Sequence, residues 1–162
     1  MGKEDYAVVE LSSFQLMDMR RSAPRAVITN LAPNHLDVHK DMQEYIDAKT
    51  NVFRYQGSDG LLIVNADNDI TAPMVGNGQT RYFSRKKPVE NGVFCADGII
   101  YRAKHGQIQR VMAAGEILLP GDHNIENYMA AIAVTDGLVT DETVRHVAGT
   151  FGGVAHRLEL VR

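Results

Sequence analysis

Short apolar runs alternate with helix-spaced apolar positions through the first half of the chain. Residues 6–11, 25–31 and 61–65 are rich in Ala, Val, Ile and Leu, the pattern of strands covered on both faces. A helix is expected from Ser12 or Ser13, both good capping types, onward through Leu16, Met17 and Met19. A second is expected over residues 41–55, where Met42, Tyr45, Ile46, Lys49, Val52 and Phe53 fall at helical spacing. Asp41 is suited to cap it, with Glu44 three positions on. The period then changes. Residues 93–112 hold two turn signals, Ala96-Asp97-Gly98 and Lys104-His105-Gly106, between short alternating segments, which predicts an antiparallel meander. Helices are expected again over residues 124–137, with Gly137 as the stop, and 141–150. Residues 156–161 read as a last extended segment. The fold class that follows is α/β: a mostly parallel sheet flanked by helices, with a small antiparallel β meander.

Composition narrows the partners more than the fold. A chain of 162 residues is one domain's worth and long enough for a proper core. A net charge of −3 argues against a nucleic-acid partner, which needs a clustered basic surface. The one basic cluster, Arg85-Lys86-Lys87, reads as a solvated loop. Cys95 is the single cysteine, so no internal disulfide or zinc cluster is possible; it reads as a small core residue in a reducing cytosol. No run approaches the length needed to cross a bilayer, and the acidic start lacks an apolar signal segment.

Chemistry-bearing residues cluster at the expected strand ends and helix starts. Glu10 falls near the end of the first expected strand, where ligands of open α/β sheets gather; alone, it reads equally as a solvated strand-end carboxylate. Ser12 and Ser13 are most simply helix caps. His35-Leu36-Asp37-Val38-His39 invites a metal reading through His35 and, less strongly, His39, but is not an H-E-x-x-H zinc motif. Lys49 sits on the core-facing side of its helix. It either snorkels or has a lowered pKa, which favours the neutral amine able to react with carbon dioxide. In the segment PGDHNIEN at 120–127, Asn124 and Asn127 lie one turn apart, suited to the edge of a planar base; singly, Asp122 or Asn124 reads as an N-cap. No G-x-x-x-x-G-K-[ST] phosphate loop occurs in the chain.

The order ELSSFQL (10–16), TNLAPNHLD (29–37), YIDAK (45–49), LPGDHNIEN (119–127) and HRLE (156–159) resembles the Mur ligase family of peptidoglycan synthesis over nearly the whole chain. Phe14-Gln15 after Ser12-Ser13, together with His156-Arg157-Leu158-Glu159, resembles its D-glutamate-adding branch. Folylpolyglutamate synthases share the architecture without this Ser-Ser-Phe-Gln run. The resemblance implies the central ATP-binding domain of a three-domain cytoplasmic bacterial enzyme. Its phosphate loop, UDP-binding amino-terminal domain and carboxyl-terminal domain have no counterpart here, so residues 1–162 are expected to be a truncated central domain, inactive alone.

It further implies ADP-forming ligation of D-glutamate to UDP-N-acetylmuramoyl-L-alanine through an acyl phosphate, with ATP and two magnesium ions. Glu10 would serve the magnesium at the ATP phosphates; His35 and carbamylated Lys49 would serve the second. In the chain by itself Lys49 is expected to be unmodified. His123, Asn124 and Asn127 would line the adenine pocket, Arg157 would approach the nucleotide, and Ser12 would lie beside the nucleotide-sugar. Asn34 and Val38 depart from the family pattern, which often has Asp and Arg there. Rival readings are another amide ligase of the same architecture, a non-catalytic module of the same fold, and a metal hydrolase using His35, Asp37 and His39.

Overall fold

The computed structural model describes residues 5–32 and 39–153. Six strands form one sheet in chain order: β1 (Arg25–Ile28), β2 (Leu61–Asn65), β3 (Gln79–Ser84), β4 (Gly92–Ala96), β5 (Ile99–Lys104) and β6 (Gln107–Ala113). The first four run parallel, and β4, β5 and β6 are joined antiparallel. Sequence reading placed β1, β2 and the meander of this sheet. Asp97 and Gly98, then His105 and Gly106, all have positive φ (49°, 72°, 52° and 76°), the backbone that tight hairpin turns demand.

Helices cover both faces: α1 (Ser13–Met17), α2 (Met42–Arg54), α3 (Asp122–Val134) and α4 (Asp141–Thr150). Strand β2 explains the two-sided burial. Leu61 and Ile63 join the core under α3 with Phe83, Val93 and Met129, whereas Leu62 and Val64 join the core under α2 with Tyr45 and Phe53. Successive strand residues point to opposite faces, so an apolar run with both faces covered reads as continuous. The helix α2 begins as expected, Asp41 Oδ1 accepting from the Glu44 amide at 2.9 Å. Glu44 reciprocates one residue earlier than a standard capping box, accepting from the Lys40 amide.

Several expectations are corrected. Residues 6–11 form no strand: Tyr6, Val8 and Val9 are 72%, 99% and 67% exposed, and the segment has no ladder partner among the described residues. Apolar β-branched composition fits a strand only where a neighbouring strand completes the backbone pairing. β1 stops at Ile28, three residues short of Leu31, although Leu31 is buried. α1 stops at Met17 rather than Met19. α3 starts at Asp122, two residues early, with Gly121 rather than Asp122 or Asn124 at its N-cap. It ends at Val134, where the Thr135 hydroxyl donates to the Ala131 carbonyl at 2.7 Å; Gly137 turns the chain beyond it. The strand β3 was not anticipated at all. The segment 156–161 lies outside the described residues.

Candidate active site

Lys49 is the centre of the first candidate site. It projects from α2 toward the segment leading into α1, and Nζ donates to the Leu11 carbonyl at 3.3 Å. Its Nζ also lies 6.0 Å from the centroid of the Tyr45 ring, at the outer limit of a cation–π contact. Glu10, Ser12, Gln15, Tyr45 and Lys49 line one open cleft. Burial pushes the Lys49 amine below its ordinary pKa, and the Glu10 carboxylate opposes that shift only in part. A carboxylate and a desolvated amine, 39 positions apart in the chain, therefore share a site.

The wall of this cleft is rigid for local reasons. Ser12 caps α1: its Oγ accepts from the Gln15 amide at 3.3 Å, and Gln15 Oε1 accepts from the Ser12 amide at 2.9 Å. At the other end of α1, Asn51 of α2 donates to the Leu16 and Met17 carbonyls at 3.0 and 3.2 Å. Lys49 and Asn51 thus hold the approach and the exit of one short helix.

His39 packs behind that wall, against Ser13, Phe14 and Tyr45. It is 2% exposed, its Nε2 lies 2.9 Å from Ser13 Oγ, its ring stacks on Phe14 at 5.4 Å, and Tyr45 meets its edge at 5.2 Å. Ser13 thus engages Nε2, whereas Nδ1 has no hydrogen-bond partner and lies 3.7 Å from Glu44 Oε2. His35 and Asp37 lie outside the described residues, as does Arg157. Among the described residues no group of three or more His, Cys, Asp or Glu gathers as a metal site.

The second candidate site is the entrance to α3. Its two amides differ. Asn124 is 5% exposed, and its Nδ2 donates to the Pro120 carbonyl at 2.7 Å, bracing the turn that feeds the helix. Asn127 and His123 are exposed and one turn apart. Gly121 is required beneath them: its φ is 100°, and an added Cβ would lie 2.8 Å from the His123 ring.

Arg85, read from sequence as a solvated cation, is half-buried. Its Nη1 lies 3.1 Å from Asp122 Oδ2 and its Nε 3.3 Å from Glu126 Oε1, tying the carboxyl end of β3 to the first turns of α3. Lys86 and Lys87 are exposed, as expected. Asp67, which sequence reading passed over, organises the same corner: it accepts from Ser84 Oγ at 2.7 Å and from the Arg85 amide at 2.7 Å. Cys95 is partly buried against the core, and burial pushes its thiol pKa up.

Comparison with known proteins supplies the family. The Mur ligase middle domain matches residues 1–135. The UDP-N-acetylmuramoylalanine–D-glutamate ligase of Clostridium botulinum is 50% identical over 161 residues, covering 98% of this chain and 34% of that protein. The enzyme of the same name from Acetivibrio thermocellus is 47% identical over 160 residues, with the same shares covered. The chain thus spans about a third of the length of the curated relatives it matches. Among solved structures, MurF from Acinetobacter baumannii superposes with a TM-score of 0.65 at 21% identity, over 86% of this chain and 31% of that one. A UDP-N-acetylmuramoyl-L-alanyl-D-glutamate–2,6-diaminopimelate ligase superposes at 0.64 with 19% identity, over 85% of this chain and 30% of that one. These two likenesses establish a shared fold. Matched by the middle-domain profile over most of its length, this chain belongs to the Mur ligase family.

Proposed function

We propose that residues 1–162 are the central domain of an ATP-dependent, ADP-forming ligase that joins D-glutamate to UDP-N-acetylmuramoyl-L-alanine in the bacterial cytoplasm. The phosphate loop, the UDP-binding domain and the carboxyl-terminal domain would lie elsewhere in the protein. Support for the substrates comes from the names carried by relatives of about half-identical sequence. No helix among the described residues is long and apolar enough to cross a membrane.

The observation that carries the chemistry is the desolvated Lys49 amine in the same cleft as Glu10. Magnesium takes oxygen ligands, so an ammonium is a poor partner for it. Burial favours the neutral amine, which adds to carbon dioxide and releases one proton, giving a carbamate whose single negative charge is shared by two oxygens. Glu10, His35 and the Lys49 carbamate would hold the magnesium ions, which neutralise phosphate charge when bound. Ser12, fixed by its own cap, would border the nucleotide-sugar. His123, Asn124 and Asn127, with Arg157, would receive the nucleotide; of the two amides Asn127 is the open one, and Asn124 shapes the turn.

The test is an assay of D-glutamate-dependent ADP release by the intact ligase with UDP-N-acetylmuramoyl-L-alanine. Lys49→Ala should lower turnover at least about 100-fold, the scale of losing one group that stabilises a transition state. Short carboxylic acids should restore part of it by refilling the vacated position. The 162-residue chain alone should show no turnover and an unmodified Lys49. Wild-type turnover in the Lys49→Ala enzyme, or ATP hydrolysis by the isolated chain that Glu10→Ala abolishes, would overturn the reading.

A further inference from the structure

The face of α3 that meets a ligand is set by how the helix is rolled about its own axis. Residues 122 and 126 share one face, and residues 123 and 127 share another, offset by about 100° in an α-helix. Asp122 and Glu126 are both held by one guanidinium, that of Arg85. Arg85 is itself anchored through its backbone: its amide donates to Asp67 Oδ2 at 2.7 Å, and Asp67 Oδ1 accepts from the fully buried Ser84 hydroxyl. The clamp therefore runs from the carboxyl ends of β2 and β3 to two successive turns of α3.

An isolated surface ion pair contributes little. This one differs at its Glu126 end, which is 18% exposed against 69% for Asp122, and in that the cation's own backbone is fixed. Gly121 makes no side-chain cap, so Asn124, bonded to the Pro120 carbonyl, ties the inner side of the first turn of α3 and Arg85 ties its outer side.

We propose that Arg85 is a positioning residue for nucleotide-base selection, fixing the roll of α3 so that Asn127 faces the base. This rests on the assignment of the α3 entrance to the adenine of ATP. Arg85 touches no reacting atom in this scheme. Its loss lets the helix end rotate, which degrades a directional amide contact more than it degrades phosphate binding.

The experiment compares KM for ATP, kcat and the ATP-over-GTP preference in the intact ligase for Arg85→Ala, Arg85→Lys, Glu126→Gln and Asn127→Ala. Arg85→Ala should raise KM for ATP about three- to tenfold, the equivalent of a charge-assisted contact, with kcat within about twofold and a reduced ATP preference. Arg85→Lys should retain part of the preference. Glu126→Gln, an isosteric change that leaves packing intact, should shift KM in the same direction as Arg85→Ala. If Asn127→Ala raises KM while Arg85→Ala and Glu126→Gln leave KM and base preference unchanged, the clamp is only a surface ion pair and the inference is overturned. If Asn127→Ala also changes neither quantity, the base-site assignment falls and this inference falls with it.

Discussion

At the scale of single residues, the chemistry turns on what burial does to Lys49. Its pKa is lowered in the folded chain by desolvation, Glu10 opposing in part, so the folded state binds fewer protons than the unfolded state between that lowered value and 10.5. Stability therefore rises with pH across that window, and the cost of the half-buried cation is fully present below it. Lys49→Met should be more stable than the parent at neutral pH in buffer free of carbon dioxide. That advantage should shrink as pH approaches 10.5, measured as the difference between the two thermal midpoints. An advantage that stays constant with pH would show that desolvation of the amine is not its source. His39 is the structural counterpart. With its ring stacked on Phe14 and bonded to Ser13, His39→Ala should cost roughly 2–3 kcal/mol in urea unfolding, a value for emptying a packed site. Sequence gave no warning of this, because a histidine two residues after Asp37 looks the same whether it binds a metal or packs against rings.

Elements were legible where the pattern is local and illegible where it depends on a neighbour. The α2 cap, the β2 run and both hairpin turns carry their own signals: a capping aspartate, unbroken apolar character, and Asp-Gly or His-Gly at the corners. Residues 6–11 show the opposite case, since their apolar character anticipates a pairing that the described residues do not provide. β3 failed in the other direction. Only its last two residues, Phe83 and Ser84, are deeply buried, so its strand identity comes from lying between β2 and β4. The clamp at Arg85 was equally hidden, because its partners stand 37 and 41 positions further along the chain. The return from β3 to β4 gives an element-scale prediction. Gly92 has φ of 139°, and an added Cβ would fall 1.8 Å from the Tyr82 carbonyl oxygen. Gly98 has φ of 72° in open space. Gly92→Ala should therefore cost at least about 3 kcal/mol and Gly98→Ala about 1 kcal/mol, since only the first adds a backbone collision to the torsional strain. Equal losses in urea titration would refute this account of the crossover.

At the scale of the whole molecule, the parallel strands, the meander and the last two helices meet at one polar junction around Asp136. Asp136, just past the end of α3, takes Arg81 of β3 at 2.8 Å and Arg102 of β5 at 3.1 Å, with Lys104 at 3.8 Å. The Arg102 contact is close but off line for a hydrogen bond, so it acts through charge; the same guanidinium also reaches Asp141 at the start of α4, at 2.8 Å. Arg25 of β1 closes the set by donating to the carbonyls of Val134 and Asp136. No hydrophobic pattern foretells this junction, because it joins β1, β3, β5, α3 and α4 through polar groups alone. Its energetic weight follows from burial: Arg81, Arg102 and Asp136 are 11%, 16% and 17% exposed at the side chain. Removing the shared anion leaves the Arg81 guanidinium desolvated without its acidic partner, while Arg102 keeps Asp141, and an unpaired buried cation costs far more than the pairing itself contributes. Asp136→Asn, which keeps the shape and removes the charge, should lower stability by about 2–3 kcal/mol. The control is Asp47→Asn, which breaks an ion pair with Arg54 whose side chains are 53% and 45% exposed. That change should stay within about 0.5 kcal/mol, as solvent already screens the pair. Urea unfolding decides between them, and raised salt should erase the Asp47 effect while leaving most of the Asp136 effect in place. Comparable losses at the two positions would mean that the junction is an ordinary surface cluster and that the apolar cores alone hold α3 and α4 to the sheet.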